Sequence, residues 1–187
     1  MQSARRAFAR AGYDGAGVRE IAKDAGVTAM LINRYFGSKE RLFAEVLVEV
    51  MRSPTILAAD NLRASNLAET FASTLVEITK AGATPLEGFL IMMYSAASRS
   101  AAEIGREQIQ QHYQKVLASV LRGEQREERA ALVFALIAGV QVMRQIIGLS
   151  ALADADPRKL TQLLAPLFEQ LIVPPEHPRS DKPAKPG

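Results

Sequence analysis

GYDGAGVREIAKDAGVTAMLINRYFGSKERL, running from Gly12 to Leu42, decides how this chain folds. It reads as two short helices joined by a tight turn, with a third helix following at once. The first is predicted from about Val18 to Ala25. Val18, Ile21, Ala22 and Ala25 fall at i, i+3, i+4 and i+7, which lays one apolar stripe against a core. Gly26 follows, where a helix end favours a residue that tolerates positive φ. Val27 plugs the turn. Thr28 suits the N-cap of the second helix, because its hydroxyl accepts an orphan backbone N–H. Ile32 and Phe36 then share the buried side, leaving Ala29, Met30, Asn33 and Arg34 largely on the other. Gly37 ends that helix, and Ser38 caps the next, KERLFAEVLVEVM. This is the layout of a helix-turn-helix DNA-binding unit. A plain helical hairpin shares the periodicity but not the order of glycine, cap and buried positions.

The remainder also reads as helix, so the fold class is all-α. Ser38 to about Arg52 forms a connecting helix stopped by Pro54. Residues 55–66 read as a short helix or loop. Asn66-x-x-Glu69 opens a helix to Lys80 that ends at Gly82. Thr84-Pro85-Leu86-Glu87 has the form of a capping box with proline at the first helical position, and its helix is predicted to reach about Arg99. Ser100 opens the next, which ends near Gly123. A long helix is predicted from about Gln125 to Leu149. Asp156-Pro157 starts the last one, to about Ile172. VPPEHPRSDKPAKPG, Pro-rich and polar, reads as a disordered tail. The resulting domains are a three-helix DNA-binding unit at 1–45, a helical domain at 46–172 and the tail at 173–187.

A chain of 187 residues, 48% hydrophobic, can bury a sizeable aliphatic core. It contains no cysteine, which excludes disulfides, zinc fingers and thiol chemistry and suits a reducing cytoplasm. No apolar run in the sequence approaches the roughly 20 residues that span a bilayer. The start lacks a signal-peptide core. Neither membrane binding nor a cofactor is expected. Residues 1–52 carry nine Lys/Arg against six Asp/Glu, so the basic excess lies on the proposed DNA-binding unit.

Gly12-Tyr13, Val18-Arg19-Glu20-Ile21-Ala22, Ala25-Gly26-Val27-Thr28 and Tyr35-Phe36-Gly37-Ser38-Lys39-Glu40-Arg41-Leu42 resemble the N-terminal domain of the TetR family of transcriptional regulators. The resemblance covers about the first quarter of the chain; beyond it only helical layout and length are similar. It implies a homodimeric repressor acting on double-stranded, palindromic operator DNA and released by a small, largely apolar ligand, with the larger domain carrying ligand binding and dimerisation. Family members usually have several residues before the position of Met1. Either an N-terminal arm is absent here or the true start lies upstream. Ala16 and Gly17 replace a usual Ser/Thr pair, and Asn33 replaces a usual recognition-helix tyrosine.

By that resemblance, Thr28, Tyr35 and Lys39 are the phosphate contacts, Lys39 standing where helix N–H groups also attract phosphate. Ala29 and Met30 occupy base-reading positions and would read thymine methyls by apolar contact. Asn33 and Arg34 supply polar contacts, and Arg19, Arg5 and Arg6 face backbone phosphates, with solvated charge their default. The last two long helices carry the expected dimer face: Phe134, Ile137, Gln141, Leu160, Leu164, Leu167 and Phe168. The helix at 125–149 is apolar around most of its circumference, as a helix buried on more than one side must be. The expected ligand pocket takes Phe89, Met92, Met93, Tyr94, Tyr113, Gln141 and Arg144. Arg144 is the sharpest of these, because an arginine in an apolar helix needs a partner. In order, that partner is a carboxylate, the dimer seam or an anionic ligand.

An enzyme would need a base or clustered ligands. The chain has two histidines; His112 stands alone and His177 sits in the tail. No metal-binding or phosphate-loop motif occurs, so no catalytic role is expected. The competing reading is a helical adaptor that uses its helix-turn-helix for protein contacts.

Overall fold

The computed structural model describes residues 1–52 and 55–173. Pro54 and residues 174–187 of the expected tail, including His177, therefore lie outside the described residues. The N-terminal unit consists of α1 (Gln2–Gly15), α2 (Val18–Asp24), α3 (Ala29–Phe36) and α4 (Lys39–Met51). The larger part holds α5 (Ala59–Leu62), α6 (Leu67–Ile78), α7 (Glu87–Ser95), α8 (Arg99–Ile109) and α9 (Lys115–Val120). It continues with α10 (Arg126–Gln141), α11 (Ser150–Ala153) and α12 (Pro157–Ile172). Among the described residues no strand occurs.

The local signals in the sequence act where their geometry is undisturbed. Thr28 Oγ1 accepts from Leu31 N–H and Ser38 Oγ from Arg41 N–H, both at 3.2 Å. Asn66 Oδ1 accepts from Glu69 N–H and Asp156 Oδ1 from Lys159 N–H, both at 3.0 Å. The box at Thr84 does not form: α7 starts only at Glu87, after Leu86, with no side-chain cap. Gln145 Nε2 instead reaches the carbonyls of Ile78 and Ala83 in this connection. Ser100 lies inside α8, and the preceding Ser98 donates to Asp14 Oδ1 at 3.2 Å instead of capping.

Two further departures are backbone features. π turns at Gln110–Gln114 and Val142–Ile146 interrupt helices that the sequence suggested were regular. The run Arg126–Ile146 is also, by length and composition, able to cross a membrane, which apolar run length alone did not suggest. One side of it packs in the core, with Ala130, Val133, Ile137 and Val140 buried.

Packing forms two clusters. The first joins Phe8, Tyr13, Ile21, Ile32, Leu42, Phe43 and Leu47 with Ile91 of α7 and Ala101 of α8. It therefore extends past residue 45, and α4 runs through that position unbroken. The second is centred on α6, α10 and α12, where Phe71 and Phe168 meet edge to face at 6.0 Å. This corrects the expected dimer face. Ile137, Gln141, Leu160, Leu164 and Phe168 are buried within the chain's own core, Phe168 at 0% exposure. Phe134 stacks on Tyr113. The physical reason is spacing: Leu160, Leu164 and Phe168 form the stripe that α12 lays on α6, so Leu163 and Leu167 face outward.

α1 is broken at Gly12, with φ 66° and ψ −175°, a region that glycine alone enters readily. A Cβ there would overlap the Tyr94 carbonyl of α7. Gly26 also has positive φ, 68°, but open space around it. Gly26→Ala should therefore cost about 1–2 kcal/mol from left-handed backbone alone. Gly12→Ala should cost about 2–5 kcal/mol, since overlap adds to strain. Urea denaturation of the two variants checks the order.

Candidate DNA interface

The turn between α2 and α3 is closed by backbone bonds. Val27 N–H reaches the Ala22 carbonyl at 3.0 Å and Gly26 N–H the Lys23 carbonyl at 3.2 Å. That pair is a Schellman motif, which satisfies the last carbonyls of α2 and turns the chain sharply. Thr28 then caps α3 and fixes its start. Ile32 is buried and Phe36 half-buried beneath α3, so the opposite side must face solvent.

That outer side carries the expected residues. Met30 is 78% exposed and Tyr35 77%. Arg19, Thr28, Asn33 and Arg34 are exposed too, and Ala29 is half-buried. Lys39, half-buried at the first position of α4, holds its Nζ 4.6 Å from the centre of the Tyr13 ring. The Tyr13 hydroxyl donates to Glu40 Oε1 at 2.7 Å. That bond holds the Glu40 carboxyl below its ordinary range, while burial first, and Glu40 second, raise the Tyr13 hydroxyl. Tyr13 thus braces the start of α4 through ring and hydroxyl together. The sequence quoted Tyr13 in a motif but gave it no role; its burial beside Phe8 and Phe43 depends on the break at Gly12.

Two arginines expected near phosphate are engaged elsewhere. Arg5 Nε donates to Glu87 Oε2 of α7 at 2.8 Å. Arg6 pairs with Asp24 at 2.7 Å and lowers that carboxyl.

The expected pocket residues separate. Phe89, Met92, Met93 and Tyr94 sit on α7, which packs on α1 and α4, and Met93 and Tyr94 are exposed. Tyr113, Gln141 and Arg144 belong instead to elements of the second cluster's side of the molecule. The seven do not line one common space.

A helix-turn-helix with a bare second helix, joined by α4 to a larger helical part, defines a helix-turn-helix protein with an appended helical domain. Comparison with known proteins makes this specific. Residues 1–46 match the family described as bacterial regulatory proteins, tetR family, and residues 65–172 match the tetracyclin repressor-like C-terminal domain. The chain belongs to the TetR family. Over 60 residues it is 42% identical to the HTH-type transcriptional repressor AcnR of Corynebacterium jeikeium (strain K411). That stretch is 32% of this chain and 32% of AcnR, so the match spans about a third of that relative. A TetR-family regulator from Streptomyces coelicolor A3 shares the fold at TM-score 0.58 and 21% identity, covering 91% of each chain. AibR, solved with isovaleryl coenzyme A and operator DNA, shares it at TM-score 0.59 and 13% identity, covering 89% of this chain and 94% of AibR.

The Tyr13–Glu40 bond has a pH signature. Glu40 has a lowered folded value, so what the bond adds to stability is present above the unfolded value and lost as pH falls through the folded one. Tyr13→Phe should move the Glu40 titration up towards its ordinary range. A carboxyl-carbon NMR titration of Glu40 checks this, and an unmoved midpoint would contradict the assignment.

Proposed function

We propose that the protein is a sequence-specific, cytoplasmic transcriptional repressor that binds a palindromic operator as a homodimer and is released by a small ligand. One observation carries the DNA-binding part. A short helix, capped by Thr28 and flanked by Lys39, leaves Met30 and Tyr35 uncovered on its outer side. Apolar Met30 suits thymine methyls, Arg34 and Asn33 suit base edges, and Thr28, Tyr35 and Lys39 suit phosphates. The basic excess of residues 1–52 agrees.

The dimer part rests on a corrected surface. Leu132, Met143, Ile147, Leu163 and Leu167 are exposed on α10, its π turn and α12. Gly139 meets nothing within 4 Å, so a second backbone has room to approach. A two-fold pair would set two copies of α3 roughly 34–36 Å apart, or a multiple of that.

The ligand part is supported by kinship of fold with AibR, which was solved with both a ligand and operator DNA. A ligand acts only through differential affinity for two conformers. α4 is the lever: it begins at the DNA-binding face and runs into the larger domain. A small shift there changes the spacing of the two α3 helices, and DNA is stiff over that distance.

Mobility shift against genomic fragments, followed by sequencing of the retained ones, tests the reading; no salt-sensitive retention of any sequence would overturn it. On the selected operator, Arg34→Ala should lose about 1–3 kcal/mol and relax preference at one base position. Lys39→Ala should weaken all sequences alike and reduce the salt slope by about one.

Leu163 is 71% exposed in the single chain, so Leu163→Glu should leave the fold intact but yield monomers. Light scattering at micromolar concentration reads this directly. A wild-type monomer in the same measurement contradicts the dimer.

A further inference from the structure

Two arginines are buried in the larger domain, and neither pairs with a carboxylate among the described residues. Arg129 is engaged on all three nitrogens. Its Nε donates to the Glu124 carbonyl at 3.0 Å, Nη1 to the Leu171 and Ile172 carbonyls at 3.2 and 3.1 Å, and Nη2 to the Arg122 carbonyl. Arg144, 6% exposed, is built on the same plan but left incomplete. Its Nε donates to the Leu152 carbonyl at 2.9 Å, and Nη1 to the Val76 carbonyl at 3.0 Å and to Thr79 Oγ1. Its Nη2 meets no acceptor among the described residues.

That difference coincides with a cavity of about 140 Å³, lined by Arg144, Thr79, Lys80, Ala83, Gln145 and Ala153, with the backbone of Ala81 and Gly82 between. Lys80 and Arg144 are its charged members, and no carboxylate lines it. Lys80 is paired with Glu77, and both are more than half exposed, so solvent screens that pair. Gln145 is the second incomplete group. Its Nε2 is held by the Ile78 and Ala83 carbonyls, which fixes the amide's orientation, and its Oε1 is enclosed by protein with no donor, out of reach of a ligand in the cavity. Burial lowers the Arg144 guanidinium from its ordinary value, as expected of a charge compensated only by carbonyl dipoles. The π turn Val142–Ile146 carries both side chains, and such turns recur at functional sites.

The cavity therefore offers a fixed positive charge with free N–H donors. It holds several waters but is smaller than the roughly 300–1,000 Å³ of a drug-sized pocket. We propose that it binds a short carboxylate, its oxygens on Arg144 Nη2. Planar carboxylates match the guanidinium fork, whereas an uncharged amide leaves the charge unpaired. The cavity abuts the Lys80–Ala83 segment, which leads into α7, and α7 is docked on α1 through Gly12 and Ser95. Occupancy is thereby linked to the DNA-binding unit. For that consequence alone, the proposal rests on the repressor reading above.

Isothermal titration of the full chain at fixed ionic strength tests the site with sodium lactate, sodium propionate, lactamide and inorganic phosphate. Lactate and propionate should each bind saturably at one site per chain, and lactamide at least about tenfold more weakly for want of the charge. Ala153→Leu fills the cavity from α11 and Ala83→Leu from the loop, both sparing the bonds of Arg144. Each folded variant should lose lactate binding by at least about tenfold. Lactamide or phosphate binding as tightly as lactate overturns the proposal, and so does lactate binding that both variants retain. In a mobility shift, saturating lactate should change operator affinity about fivefold or more; unchanged affinity overturns the link to DNA. A chain that retains no DNA of any sequence defeats the repressor reading, while the calorimetry still decides the cavity.

Discussion

The N-terminal unit is fixed to the rest of the molecule by a contact that only a residue without a side chain can make. At Gly12 the backbone of α1 turns through a conformation closed to other residues and comes to lie on the Tyr94 carbonyl. Three things follow from that break. The Tyr13 ring enters the core against Phe43, at 5.1 Å and edge to face. The Tyr13 N–H, freed from the helix, donates to Ser95 Oγ at 2.9 Å in a buried bond. The hydroxyl reaches Glu40 at the start of α4. That single backbone position therefore underlies both the close contact of α1 with α7 and the Tyr13 ring on which Lys39 rests. Around it the seam is polar, with Arg5 on Glu87 and Ser98 on Asp14. Each such bond contributes about 1 kcal/mol net, so their value lies in direction more than strength.

The outer side of α3 was legible in the sequence because it needs only local rules. A Schellman end, a threonine cap and two inward side chains at i, i+4 leave one helix side free, whatever lies further along the chain. The caps at Ser38, Asn66 and Asp156 belong to the same class. The box at Thr84 and the cap at Ser100 failed because the neighbouring backbone and Ser98 answer to distant groups, Gln145 and Asp14. The π turns were invisible for a related reason: no residue pattern marks where tertiary packing widens a helix. Apolar residues on α10 and α12 announced burial on two sides but could not say which side met the chain itself. Leu164 and Leu163 differ by one position and by 100° around the axis, and only the packing of α12 on α6 separates them.

Arg144 stood out in the sequence as an anomaly, and it remains one in the structure. A carboxylate partner was the first expectation. Carbonyls near the ends of α6 and α11 were found instead. Those helix ends carry the negative pole of the backbone dipole, so they compensate part of a cation's lost hydration. Arg129 shows the completed version of the arrangement at the end of α12. The comparison between the two gives the bare edge of Arg144 its meaning.

The clasp of Arg129 on Leu171 and Ile172 has a kinetic corollary. It pins the end of α12 to the start of α10, and the Phe71–Phe168 contact holds the middle of α12 on α6. The exposed leucines of both helices consequently form one stiff slab before any second chain arrives. Little rotamer and loop freedom is left to lose when that slab is covered. In the proposed dimer, encounter would need no folding step, and the lifetime of the pair would be governed by how slowly the preformed faces separate.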